Sequence, residues 1–341
     1  MKKISLALII SSLLISSVFA DEAIQEVKLS NIEAVQKILE SDPENGEANF
    51  RMAAYYGSAE HLDSIKHLEY LRKAADSNFP DAELQYGFLL INNNEPKQGL
   101  KYIQKSAERG YVKALTLLGD LYFAGYYNQS GGVVIQANAD LSEQYLIQAV
   151  TQNDPDARYT LAYLYLNPNL GKQDIQQALK LLEENINYDT KNIHLPSVVT
   201  LIDIYSQGQY LSADPAKLVD YFYLASLQGY VPALYPVGMM QKEGAKGVRL
   251  EIIKNDSEAF ANLLKAAKAG YIDAMFSVGE MYFKGEGVKQ SDTDAYIWMA
   301  IAEELSNSEK KYSEIILELI PRKDQDAAIA KKDLQLSVYK K

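Results

Sequence analysis

The sequence predicts an all-α chain: an α-solenoid of six to seven helix-turn-helix units closed by a helical cap. A short motif recurs along the chain as Ser106-Ala107, Gly110-Tyr111, Ala114; as Ala225-Ser226, Gly229-Tyr230, Ala233; and as Ala266-Ala267, Gly270-Tyr271, Ala274. Two further copies put Asn at the glycine position, Ala74-Ala75, Asn78-Phe79, Ala82 and Ala149-Val150, Asn153-Asp154, Ala157. With the last small residue as anchor, Ala48, Ala82, Ala114, Ala157, Ser197, Ala233 and Ala274 follow one another at spacings of 34, 32, 43, 40, 36 and 41 residues. Self-similarity at that period is the mark of stacked helical repeats, because one such unit cannot bury its apolar face alone.

The chain opens with Lys2 and Lys3, an apolar run from Ile4 to Val18, and Val18-Phe19-Ala20 before the acidic Asp21-Glu22. This is the layout of a cleaved export signal, with the cut expected after Ala20. The run is short for a membrane span and no later stretch reaches the roughly 18 apolar residues a transmembrane helix needs. The expected organisation is a signal peptide over 1–20, a repeat solenoid over 21–302 and capping helices over 303–341, in a protein of the periplasm or outside the cell. Cysteine is absent, which excludes disulfides, thiol catalysis and cysteine-based metal sites. A formal net charge of −11 argues against nucleic acid and anionic lipid as main partners.

Within each unit the motif reads as the end of one helix, a tight turn and the start of the next. Gly and Asn tolerate the left-handed backbone that closes a helix, so their exchange is physically coherent. Pro80, Pro155 and Pro232 stand just before the anchors, where a new helix begins. Five positions after the anchor come Ala53, Gly87, Gly119, Ala162, Ile202, Gly238 and Gly279; eight after it come Tyr56, Tyr122, Tyr165, Tyr205 and Tyr282. Small residues at offsets zero and five with a large one at eight make a face that a neighbouring helix can approach closely. Gly125, Gly208, Gly244 and Gly285 at offset eleven end the first helix, and a variable loop leads to the second. The expected caps of those second helices are Asp140, with Glu143 three residues on, Asp214, Ser257 and Asp292. From Ser308 onward two helical stretches broken at Pro321 form the cap, and Lys310 to Lys341 carries eight Lys/Arg against five Asp/Glu.

These residues resemble the Sel-1-like repeat, a relative of the tetratricopeptide repeat. The last unit matches best, with Ala274, Val278-Gly279, Tyr282, Gly285-Glu286-Gly287-Val288, Asp292, Ala295 and Trp298, while the units at Ala48 and Ser197 match weakly. The resemblance covers about residues 45 to 302. It implies a right-handed solenoid acting as a periplasmic or secreted scaffold or adaptor for protein-protein interactions. A secreted factor acting on host or neighbouring cells is the alternative, and a cell-wall or β-lactam hydrolase a further one.

Catalytic chemistry has little to work with, so no enzyme, no cofactor and no metal is expected. His61, His67 and His194 read as solvated side chains, and Ser308-x-x-Lys311 and Ser337-x-x-Lys340 as chance matches to a hydrolase spacing. Gly285-Glu286-Gly287 lacks the third glycine of a dinucleotide fingerprint. The offset-six residues Phe88, Asp120, Tyr163, Asp203, Met239 and Glu280 lie outside the packing code and are expected to face a groove lined by the first helices. Acids mixed with aromatics there would suit basic or aromatic extended segments of other proteins. Tyr126 and Tyr127, in a long loop, form a second candidate patch.

Overall fold

In the computed structural model residues 32–127, 132–186, 193–208, 210, 212–309 and 311–340 are described; the expected signal peptide lies outside them. The chain divides between Leu181 and Leu182 into two compact units. The first contains α1 (Ile32–Ser41), α2 (Gly46–Gly57), α3 (Ser64–Asp76), α4 (Pro80–Asn92), α5 (Pro96–Glu108), α6 (Val112–Ala124), α7 (Ala139–Thr151), α8 (Pro155–Leu166) and most of α9 (Ile175–Glu184). A short antiparallel ribbon, β1 (Tyr126–Tyr127) with β2 (Val133–Ile135), stands between α6 and α7. Helices pair as α2 with α3, α4 with α5 and α6 with α7, and each pair packs on the first helix of the next.

The second unit runs through α10 (Leu195–Gln207), α11 (Pro215–Leu227), α12 (Val231–Glu243), α13 (Asp256–Lys268), α14 (Ile272–Lys284), α15 (Asp292–Ser306), α16 (Tyr312–Leu319) and α17 (Arg322–Leu336). Between α12 and α13 lies a second ribbon, β3 (Ala245–Lys246) with β4 (Glu251–Ile252). Asp220, buried in α11, accepts from the backbone N–H groups of Arg249 and Leu250 and so ties this ribbon down. The helices α16 and α17 both pack on α15, closing a core that includes Met275, Val278, Trp298, Ile316 and Leu336. Each unit therefore has the antiparallel helix-pair architecture of an α-solenoid, as the repeat period predicts.

The turn code works as the sequence implies. At Gly270 φ is +98°, its N–H donates to Ala267 O at 3.0 Å, and the Tyr271 N–H donates to Ala266 O at 3.1 Å. These are the two bonds that satisfy the last carbonyls of a helix ended by a left-handed residue. Asn78 adopts φ +62° and, with Phe79, makes the same two bonds to Ala75 and Ala74. The offset-five position faces the second helix of its own repeat. A Cβ on Gly87 would lie 2.6 Å from Gly99 O, and one on Gly119 2.5 Å from Leu146 Cδ2, so these residues must be small.

Three of the expected caps are corrected. Asn138, Asn255 and Ser291 cap α7, α13 and α15, their side-chain oxygens accepting from Leu141, Glu258 and Asp294 N–H. Asp140, Ser257 and Asp292 sit inside the first turn instead, where the acidic side chains of Asp140 and Asp292 still favour the positive helix end. Asp214 caps α11 as expected.

Candidate functional site

The offset-eight tyrosines pack against aromatic or charged side chains of the second helices. Tyr56 stacks on Tyr70 at 5.7 Å, Tyr122 on Tyr145 at 5.9 Å, and Tyr282 meets Phe260 edge-on at 5.1 Å. Tyr165 donates to Glu143 at 2.9 Å; burial, then that bond, pushes its phenol up to about 12. Tyr205 is buried against Tyr221, with the Lys217 ammonium 4.7 Å above its ring. These residues are part of the structure and are not offered to a partner.

The offset-six residues do not share one open face. In the first unit Phe88 is buried, and Asp120 is only 4% exposed. Asp120 projects from α6 toward α8, where Thr160 donates to it, while its Oδ1 is buried without a hydrogen-bond partner. Desolvation is the main cause that pushes this carboxyl up to about 8, and the charges of Asp156 and Asp154 add to it. Asp120 is thus a packing residue of the α6–α8 contact and cannot select a basic partner from an open groove. Tyr163 is half-buried and meets Tyr159 edge-on at 4.9 Å. In the second unit Asp203 is exposed and Met239 half-buried, with the Ser277 hydroxyl 3.9 Å from its sulfur. Glu280 is half-buried between Lys284 and Lys242, the latter 3.3 Å away, and the bond from Lys284 leads in holding its carboxyl below the usual range. Its charge is compensated within the repeat array. Of the three acids expected to line a groove, Asp203 is the one left at the surface.

In the loop patch, Tyr126 donates to Asn92 at 2.8 Å and is half-buried, whereas Tyr127 is 52% exposed. His61 is exposed, as expected of a solvated side chain, whereas His67 and His194 are half-buried and hold local structure together. The His61 ring lies tilted beside Tyr55 at 4.1 Å, His67 Nδ1 lies 2.8 Å from Ala53 O, and His194 caps α10 by accepting from the Ser197 N–H. The Ser337 hydroxyl donates to Leu334 O at 2.7 Å, while Lys340 pairs with Glu304. Among the described residues no group of three or more His, Asp or Glu is placed to hold a metal ion, and no helix is long and apolar enough to cross a membrane.

One cavity stands out in the first unit. It encloses about 380 Å³ between α2, α3 and α4 and is lined by Phe50, Ala53, Ala54, Gly57, Leu62, Ser64, His67, Leu71, Gln85 and Leu89. Two small residues stand on the face of α2 that lines it. Ala54 stands at offset six, where the other repeats carry Phe88, Asp120, Tyr163, Asp203, Met239 and Glu280. Gly57 stands at offset nine, where they carry Ile91, Phe123, Leu166, Ser206, Lys242 and Phe283. The imidazole of His67 fills the space beside Gly57, whose missing Cβ would lie 2.8 Å from Nδ1. Lining the copies up at offset six exposes this gap in the sequence itself, where Ala54 is the small exception.

Comparison with known proteins places these observations in a family context. The Sel1 repeat pattern matches residues 46–79, 83–111, 112–154, 155–184, 203–230, 231–271 and 272–307. The chain is similar to an uncharacterized protein of Neisseria meningitidis serogroup B, 24% identical over 276 residues, covering 72% of this chain and 55% of that protein. It is similar as well to the chitin synthase regulator SKT5 of Saccharomyces cerevisiae, 25% identical over 245 residues, covering 69% of this chain and 29% of the yeast protein. It thus spans about half the length of the first relative and under a third of the second. A solved Sel1 repeat protein from Oxalobacter formigenes superposes with a TM-score of 0.50 at 21% identity, covering 92% of this chain and 86% of that one, a likeness of fold.

Proposed function

This chain belongs to the Sel1 repeat family, and from that premise we propose that it is a non-enzymatic scaffold or adaptor that holds other proteins on its helical repeats. The observation that carries the reading is a separation of roles along each repeat. Residues at offsets zero, five, eight and eleven are consumed by turns and helix contacts, while the surface left over differs from copy to copy. Asp203 and Tyr127 reach solvent, and the α2–α4 cavity opens beside Ala54, where the other repeats carry larger residues. Variation on a fixed frame is how a repeat protein acquires a particular partner. The yeast relative is named as a regulator of another protein, chitin synthase, which supports the same general reading.

The leader-like start of the sequence supports export, so the working place of the scaffold is the periplasm or the exterior. Partner segments are extended and basic or aromatic, which complements the acidic chain. Tyr163, Asp203, Met239, Glu280 and Tyr127 are the contact candidates, Tyr126 buttresses its neighbour, and Asp120 is set aside as a packing residue. The test is quantitative capture of partners from intact envelopes by chemical crosslinking and mass spectrometry, with Asp203→Ala and Tyr127→Ala variants whose circular dichroism matches wild type. Enrichment of specific proteins that falls severalfold in either variant is the expected result. Enrichment of nothing above a scrambled-bait control overturns the scaffold reading, and recovery of the protein solely as uncleaved cytoplasmic material overturns export.

A further inference from the structure

The cavity between α2, α3 and α4 has a composition that specifies more than general stickiness. Most of its wall is apolar, from Phe50, Leu62, Leu71 and Leu89. Two polar groups interrupt it. The His67 ring places Nδ1 2.8 Å from Ala53 O, an acceptor, so Nδ1 carries a proton and Nε2 is the ring nitrogen left for a ligand. Gln85, half-buried, adds an amide that has no side-chain hydrogen bond among the described residues. The complement to such a wall is a flat apolar body that carries one N–H or O–H donor.

At about 380 Å³ the cavity is near the lower end of the roughly 300–1,000 Å³ that ligand pockets occupy, room for one large side chain. Its surroundings favour a particular carrier. Leu62, at the wall, is 69% exposed, and Ile65 and Leu68 continue the apolar surface along α3. Between Glu44 and Glu83 eight acidic side chains stand against four basic ones. Glu60, two residues before Leu62, is exposed and has no ion-pair partner among the described residues. Anionic surroundings attract a cationic chain and steer its approach.

We propose that this cavity is the seat of one tyrosine or tryptophan side chain presented by a lysine- or arginine-rich segment of a partner protein. The phenol or indole donates to His67 Nε2, the ring packs on Phe50, Leu71 and Leu89, and the flanking cations answer the exposed Glu60 and the net negative charge between Glu44 and Glu83. Phenylalanine fills the same space but leaves the imidazole nitrogen unpaired, which costs about tenfold in affinity. The inference deepens the scaffold reading and rests on it.

The test uses the full chain and fluorescein-labelled pentapeptides that hold tryptophan, tyrosine, phenylalanine or alanine between pairs of lysines, read by fluorescence anisotropy. The expected order is tryptophan and tyrosine about tenfold tighter than phenylalanine, with alanine weaker still. Ala54→Phe fills the cavity with the residue that the next repeat carries at Phe88, and it should weaken the tryptophan peptide at least tenfold without changing the circular dichroism spectrum. His67→Leu should erase the preference for tyrosine over phenylalanine while keeping aromatic over alanine. Equal binding of all four peptides reduces the effect to charge and overturns the proposal, as does unchanged binding by Ala54→Phe. If no peptide binds while Ala54→Phe abolishes self-association in sedimentation, the occupant is a second copy and the proposal fails. Partner crosslinking that persists in Ala54→Phe while the peptides fail leaves the scaffold reading standing and removes this one alone.

Discussion

Replacing Asp120 with asparagine should stabilise the first unit, and by an amount that grows with pH. The carboxyl is fully enclosed, has one buried oxygen without a partner, and titrates near 8 against an ordinary value of 3.8. Below about pH 4 it is protonated in both the folded and unfolded chain and costs nothing extra. As pH rises toward 8 the unfolded chain ionises while the folded one resists, so stability is lost at about 1.4 kcal/mol per pH unit. Above pH 8 both forms are ionised and the penalty levels off at about 6 kcal/mol, an upper figure that relaxation and water entry reduce to about 2–3 kcal/mol. The asparagine side chain keeps the volume and the contact with Thr160, and it removes the titration. The neighbouring carboxyl of Asp154, raised chiefly by its own burial, is coupled to Asp120 through their charges, so the difference between the two proteins reports the coupled group. The assay is urea unfolding at pH 4.5, 6, 7.5 and 9 with hydrogen exchange on peptides from α6 and α8. The single tryptophan, Trp298, belongs to the second unit and serves as a separate probe. The predicted advantage of Asp120→Asn rises from a small fraction of its full value at pH 4.5 to that full value at pH 9. A difference that is constant with pH, or one that favours aspartate at high pH, refutes the reasoning.

Two further predictions concern the packing code. Gly87→Ala forces the α4 and α5 backbones apart, because the new methyl meets the carbonyl of Gly99 and the side chain of Ile103, and should cost about 1–3 kcal/mol by urea unfolding. An unchanged midpoint would mean that close approach at offset five is not what requires glycine. Arg109→Ala strands Glu83, which is fully buried, bonded to Arg109 at 3.2 Å through one oxygen and unpartnered at the other. A loss of about 3 kcal/mol is expected, largely recovered in the double variant with Glu83→Gln, since a neutral amide removes the stranded charge. Equal losses in the single and double variants would contradict this.

What the sequence makes legible is local. Gly270 and Asn78 end helices because their own backbone preferences demand it, and Gly87 is small because a helix in the same repeat must come close. These effects act over one turn or one hairpin, and the repetition of the chain prints them several times. Asp120 and Glu280 escape a repeat-by-repeat reading because their surroundings come from far along the chain. Thr160 lies 40 residues after Asp120, and Lys242 lies 38 before Glu280. At Asp120 and Glu280 offset six turns toward a neighbouring first helix, a consequence of how consecutive pairs pack that no single repeat displays. The caps differ by one or two positions because Asn138, Asn255 and Ser291 precede acidic residues that also favour a helix start. The cavity at Ala54 is readable in principle, as the copy in which an expected bulk is missing.

The most direct test of the central claim is a positional crosslinking map in living cells. A photoreactive phenylalanine analogue is placed one position at a time at Ala54, Gln85, Tyr127, Tyr163 and Asp203, and at Lys265 and Glu318 on second-helix and cap surfaces as controls. The scaffold account predicts discrete protein adducts from the first group, strongest around Ala54 and Gln85, and none from the controls. Adducts spread equally over both groups, or absent from both, would contradict it.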